Sequence, residues 1–306
     1  MYRRTLIVGL LLLPRLVLAQ SNEVDVYDTT TNTLIGAIHS PYSFDVRISP
    51  DGSFGFVTNQ TPSVLLFDAT TDQDIGWIPL SYESAGVALT PDSRYAYVAN
   101  PFSLNGPVSV IDVVQQAVIN IIPSVYAWYI AMSPVAPRAY GGPSVIDTET
   151  QRVVGMLPGG EFMAVSPDGA ELYVAGDNLI AVFSTADDTL LATIDVPGGG
   201  SGGEIVFSPD GTAAYSTGTD LVVAIDTAMR SVTAGVFLPG RTRRLAITPD
   251  GSRLYHLGEQ AVEVISTKDL SVLTTIPYQV TNPATSVTIS PDGQKAYVAF
   301  TCVGLC

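Results

Sequence analysis

One eleven-residue pattern runs through almost the whole chain: SPDGSFGFVTN at 49–59, TPDSRYAYVAN at 90–100, SPDGAELYVAG at 166–176, SPDGTAAYSTG at 208–218, TPDGSRLYHLG at 248–258 and SPDGQKAYVAF at 290–300. A seventh, worn copy, SPVAPRAYGG, occupies 133–142. The turn prolines, Pro50, Pro91, Pro134, Pro167, Pro209, Pro249 and Pro291, recur at a period near 40 residues. Each copy opens on a β-turn, in which Pro presets φ and Gly accepts φ > 0, and closes on an alternating apolar run. A run of the form V-x-V-x-D follows, as in EVDVYD (23–28) and SVLLFD (63–68), and then one more short apolar run.

Each unit therefore supplies four short antiparallel strands, A to D. Such a unit cannot bury both faces alone, and stacking the units in a ring covers them all. The expected fold is all-β: a seven-bladed β-propeller of four-stranded blades. The chain begins with a C–D pair (23–38) and finishes with an A–B pair (286–300). The last blade is expected to close by pairing the strand near Val24–Tyr27 with the strand near Ala296–Phe300, which removes an open edge. The Asp that ends strand C, replaced by Ser184 and Ser266 in two copies, sits where a loop begins, so turn capping is its expected role.

Composition fits this reading. The chain of 306 residues is 46% hydrophobic and 14% charged, with 27 Gly and 21 Pro, and shows no long helical period. Residues 1–19 differ from the rest: MYRR is a positive n-region, LIVGLLLLPRLVLA an apolar core, and Val17-Leu18-Ala19 a cleavage site. They read as a signal peptide, which places residues 20–301, one propeller domain, outside the cytoplasm. Arg15 interrupts the apolar run, and no other stretch is long enough for a membrane span. Removing three arginines and no acids would take the formal net charge from −15 to −18. A surface this acidic repels phosphate backbones, so nucleic acid is an unsuitable partner. Residues 302–306 form a short tail holding both cysteines, Cys302 and Cys306, which either pair in a tight loop or belong to a frayed end.

The combination of Ser/Thr-Pro-Asp-Gly, V-x-V-x-D and Tyr-Val-x-Asn resembles the YVTN family of β-propeller repeats. Phe56-Val57-Thr58-Asn59 and Tyr97-Val98-Ala99-Asn100 carry the resemblance, with looser matches at Tyr173, Tyr215, Tyr255 and Tyr297. Similar propellers serve as surface-layer proteins, periplasmic binding proteins, lactonases and amine-dehydrogenase-like chains, and fold alone does not choose among them.

The D–A loops are the least repetitive segments and line one mouth of the channel, which is where a site is expected. Five residues before each turn proline stand Asp45, Gly86, Tyr129, Phe162, Glu204, Arg244 and Ser286. A ligand-binding mouth would use an aromatic wall of Tyr126, Trp128, Tyr129 and Phe162, facing Arg241, Arg243 and Arg244, with Asp45, Arg47 and Glu204 nearby. The alternative is that aromatics plug the channel and the arginines pair with Asp45, Glu161 or Glu204. Arg47 stands where Ala88, Ala131, Ala164 and Ala246 are small, so it either pairs across the channel or points into it.

Catalytic signals are weak. His39 and His256 are far apart with no carboxylate partner evident nearby, and VPGGGSGGE (196–204) lacks the Lys-Ser/Thr of a phosphate loop. No CxxCH haem site, zinc ligand set, quinone-docking motif or serine nucleophile elbow is present. The expected molecule is a binding or scaffold module for a protein or small-molecule ligand, with no cofactor, no metal and no catalytic residues. The alternatives are a lactonase-like or dehydrogenase-like propeller enzyme and a surface-layer or adhesive repeat protein.

Overall fold

The computed structural model describes residues 23–196, 202–238, 244–278 and 283–301. Residues 1–19, read above as a signal peptide, Arg241, Arg243, most of the glycine-rich run and both cysteines lie outside the described residues. The described strands are numbered β1–β28 in chain order and form seven four-stranded antiparallel sheets. Their innermost strands are, for the first to seventh blade, β3 (Asp45–Ile48), β7 (Val87–Leu89), β11 (Ile130–Met132), β15 (Met163–Val165), β19 (Ile205–Phe207), β23 (Leu245–Ile247) and β27 (Ala284–Ile289).

The seventh blade runs β27, β28 (Lys295–Phe300), β1 (Glu23–Asp28), β2 (Thr33–His39). In it Val24 pairs with Ala299 and Tyr27 with Ala296, so the two ends of the described chain close the ring as expected. The closure is also fastened to the neighbouring blades. The Tyr255 hydroxyl donates to Asn32 Oδ1 at 2.8 Å, and the Tyr297 hydroxyl to Asp72 Oδ1 at 2.8 Å. Lys295 Nζ reaches the same aspartate at 2.8 Å.

The repeated turn is a hydrogen-bonded cassette. The Thr248 hydroxyl donates to Asp250 Oδ1 at 2.5 Å, and that oxygen also accepts from Ser252 N at 3.0 Å. These donors, the hydroxyl foremost, hold the Asp250 carboxyl down at about 2. The strand-C aspartates cap their loops: Asp28 Oδ1 accepts from Thr30 N and Thr31 N, and Asp68 Oδ1 from Thr70 N and Thr71 N. The C–D pair of every blade carries a register shift, such as that between Val264 and Ile265, which the period-two reading does not contain. A bulge of this kind adds the twist each blade needs to fan outward from the axis.

The core lies between neighbouring blades. Tyr255, Leu257 and Val264 of the sixth pack against Tyr27, Val287 and Phe300 of the seventh. Asp25 shares the strand face of Tyr27 and is buried there, its carboxylate accepting from the Tyr27 hydroxyl at 2.9 Å. Burial, opposed by that hydrogen bond, pushes the Asp25 carboxyl up to about 6. An unfolded-state value near 3.9 means that Asp25 holds its extra proton in the folded protein between about pH 4 and 6, so its contribution to stability falls as pH rises through that window and is level above it. Asp25→Asn is therefore expected to stabilise the protein at neutral pH by roughly 3 kcal/mol, at about 1.4 kcal/mol for each of two pH units, and hardly at all at pH 4. Thermal unfolding at both pH values checks this; equal melting shifts at the two would refute it.

Candidate functional site

Side chains at the entry to the innermost strands step from blade to blade. Asp45 Oδ2 accepts from Val87 N at 3.1 Å and Asp45 Oδ1 from the Ser286 hydroxyl at 2.6 Å, joining the seventh, first and second blades. Glu204 Oε2 accepts from Leu245 N at 3.0 Å, joining the fifth to the sixth. Arg244 Nε donates to the Thr285 carbonyl at 2.8 Å, joining the sixth to the seventh. Each of these groups stands five residues before a turn proline, so one position of the repeat serves as a lateral tie.

Two arginines complete a compact polar cluster. Arg47 bonds Glu204 Oε1 across the ring at 2.9 Å and lies 3.5 Å from Asp45 Oδ2. Desolvation acts to lower the Arg47 pKa, but Asp45 and Glu204 outweigh it and the net shift is upward. The Arg244 guanidinium stands 3.8 Å from Glu204 and 3.9 Å from Asp45. It covers the Tyr129 ring at 4.1 Å and lies 5.5 Å from the Phe162 ring. Two cations and two carboxylates so neutralise one another at the channel mouth. The fit is incomplete, because among the described residues neither Nη1 nor Nη2 of Arg244 has a hydrogen-bond partner. Burial pushes the Tyr129 hydroxyl up, against the opposing pull of Arg244, which keeps it a neutral phenol.

The aromatic wall separates into two parts. Tyr129 and Phe162 stack at 4.9 Å beneath Arg244, inside the mouth. Phe44 also stacks on Tyr129, at 5.9 Å, and contacts Trp128 at 6.1 Å. Trp128 meets Phe102 edge-on at 5.0 Å. Trp128 and Tyr126 face outward and are exposed. A line of rings therefore runs from the channel arginine to the rim, with Tyr126 beside its outer end. Phe102 is absent from the sequence reading because it lies in a B–C loop. The signal for it was the length of that loop, NPFSLNGP at 100–107, beside the short connections of the other copies.

One expectation is corrected. His256 does have a carboxylate partner: it pairs across strands with Glu263, and Nδ1 lies 3.1 Å from Oε2. The partner lies seven residues away in sequence and is aligned by the hairpin register. His256 is buried, as expected of a position that holds Val in other copies, whereas His39 is exposed at the end of β2. Among the described residues no group of three or more His, Cys, Asp or Glu is placed to hold a metal ion.

Comparison with known proteins locates the fold more firmly than the function. No family model matches the chain. A stretch of 202 residues is 26% identical to YwhL, an uncharacterized protein of Bacillus subtilis (strain 168), covering 59% of this chain and 44% of that protein. The match thus spans less than half the length of that relative. Among solved structures, Kuenenia stuttgartiensis hydrazine synthase superposes with a TM-score of 0.75 at 23% identity, covering 87% of this chain and 96% of that one. The β-propeller domain of Myceliophteria thermophila Cps50 (Swd1) gives a TM-score of 0.74 at 10% identity, covering 89% and 99%. At these identities the likeness shows the propeller fold alone.

Proposed function

We propose that the protein is an extracytoplasmic, YVTN-type propeller that works as a binding or scaffold module, taking a protein or small-molecule ligand at its D–A face. The observation that carries this reading is the mutual engagement of Asp45, Arg47, Glu204 and Arg244. A general acid or base needs a group free to exchange a proton with substrate. Here each of these four groups is engaged by another of them or by a neighbouring blade, which supports a rigid frame with its contact surface on the loops around it. The likeness to hydrazine synthase keeps an enzymatic reading in view at the level of fold only.

Peptide and glycan arrays probed with the purified protein, alongside turnover assays on lactones and primary amines, test the proposal. Saturable binding without turnover is the expected result. Turnover abolished by Glu204→Gln, with the melting temperature unchanged, would overturn it. Recovery of the protein from the cytoplasm with residues 1–19 intact would overturn the localisation.

A further inference from the structure

We infer that the outer end of the aromatic line is a docking surface for a basic, extended peptide segment of a partner protein, a Lys or Arg side chain lying over Phe102 and Tyr82 with its charge answered by Glu83. The inference rests on the binding-module reading above and names the partner chemistry for its D–A face.

Exposed aromatic residues on this side of the second and third blades include Tyr82 at 36%, Trp128 at 40%, Phe102 at 45% and Tyr126 at 55%. Beside them a cleft of about 340 Å³ is lined by Pro62, Ser81, Tyr82, Glu83, Phe102 and Ser103. That is room for one or two side chains, with two aromatic rings and one carboxylate in its wall. Ring faces carry negative potential and attract cations, and a carboxylate beside them adds to the preference.

Charge complementarity selects the occupant. Between Arg47 and Arg138 the sequence contains one basic residue, Arg94. Its guanidinium lies over Tyr95, at the turn end of its strand and away from this face. No cation of this part of the chain therefore competes for the cleft, and the net charge of −15 draws basic partners toward it.

The surface is also held in shape before anything binds. Asn100, the last residue of Tyr97-Val98-Ala99-Asn100, donates to the carbonyls of Glu83 at 3.0 Å and Tyr82 at 3.4 Å, and its Oδ1 accepts from Ser109 at 2.7 Å. The loop that carries Phe102 is bonded to the loop that carries Tyr126 and Trp128: Ser124 N donates to Asn105 O at 2.9 Å, and Tyr126 N to Gly106 O at 2.8 Å. Tyr126 sits at φ +55°, a conformation unfavourable for a bulky residue, which those bonds fix in place. Trp128 is braced from behind by Phe44. Little ordering remains to be done on binding, which is what an exposed recognition surface requires.

The test uses the whole protein with Trp77→Phe, which leaves Trp128 as the sole tryptophan and reporter. The probes are acetylated, amidated Gly/Ser/Pro peptides with a central Arg or Lys, the same peptides with Gln or acetyl-lysine, and chito-oligosaccharides. Basic peptides are expected to change Trp128 fluorescence saturably and neutral ones not. Phe102→Ala is expected to weaken binding about thirtyfold, a loss typical of an anchor residue. Phe102→Leu keeps an apolar side chain without a ring, so it is expected to lose the preference for basic over neutral peptides. Glu83→Gln is expected to weaken binding and flatten its salt dependence. Unchanged melting temperatures establish that the variants fold. Equal binding of Arg and Gln peptides, or an unaffected Phe102→Ala variant, overturns the inference. Oligosaccharide binding that depends on Phe102 overturns it while leaving the binding-module reading intact. Absence of binding by every probe here, together with blank arrays, overturns both.

Discussion

A chain beginning at Ser40, without β1 and β2, is expected to show no cooperative thermal transition. The deletion leaves the seventh blade with two strands and gives β28 an open edge along Ala296–Ala299. It strips Val24, Val26 and Ile38 from the core shared with Val46, Leu65 and Phe67 of the first blade. On the other side it removes Tyr27 from the cluster with Tyr255 and Val264, and takes away the Asn32 acceptor of the Tyr255 hydroxyl. Both interfaces that close the ring are lost together. Differential scanning calorimetry and size-exclusion chromatography read the result: a broad or absent transition and self-association are expected. A monomer with a sharp transition within a few degrees of the parent would show that the ring does not depend on its closing strands. Ile38→Ala offers a graded version at a fully packed site, with an expected cost of about 2–5 kcal/mol.

The closure was legible in the sequence because it depends on counting. Repeats of known strand number, with a C–D pair at one end and an A–B pair at the other, leave one way to complete the ring. The tie position was legible too, since five residues before each turn proline marks the same place in every blade. The sequence offers Asp45 and Glu204 as partners of the arginines, and a pairing of Arg47 across the channel, only as one of two readings. Which arginine meets which carboxylate is not legible in it. Arg47 meets Glu204 from 157 residues away, and such a pair is set by ring curvature and side-chain length, neither of which a repeat encodes. The separation of Tyr126 and Trp128 from Tyr129 and Phe162 was hidden for a related reason. Residues 123–129 form an irregular loop in which Ser124 and Tyr126 take positive φ, so alternation no longer predicts which ring turns inward. His256 shows the converse case. Its pairing with Glu263 follows from hairpin register alone and was available to a reading that aligned strand B against strand C.

Arg244→Ala is expected to destabilise the protein by about 3–5 kcal/mol, roughly ten degrees in melting temperature, because it breaks a buried ion cluster from one side. Arg244 is 5% exposed. Its loss removes the Nε tie to Thr285, the stacking over Tyr129, and one of two cations standing against Asp45 and Glu204. Arg244→Lys keeps a charge but gives up the planar stack and the directed bond, so it is expected to recover only part of the loss. Arg47→Ala is expected to cost less than Arg244→Ala, because its side chain is 27% exposed and solvent can replace part of what is removed. The decisive comparison is a double-mutant cycle of Arg244→Ala with Glu204→Gln. If the cluster is a tie between blades, neutralising the carboxylate relieves part of the damage, and the double variant is more stable than the sum of the two single losses predicts. Strict additivity would mean that Arg244 acts apart from Glu204, and an Arg244→Ala variant that melts with the parent would mean that the cluster contributes nothing to holding the blades together. Arg244, Tyr129 and Phe162 would then have to be explained by what they bind, and the mouth would replace the rim as the place to look for a ligand.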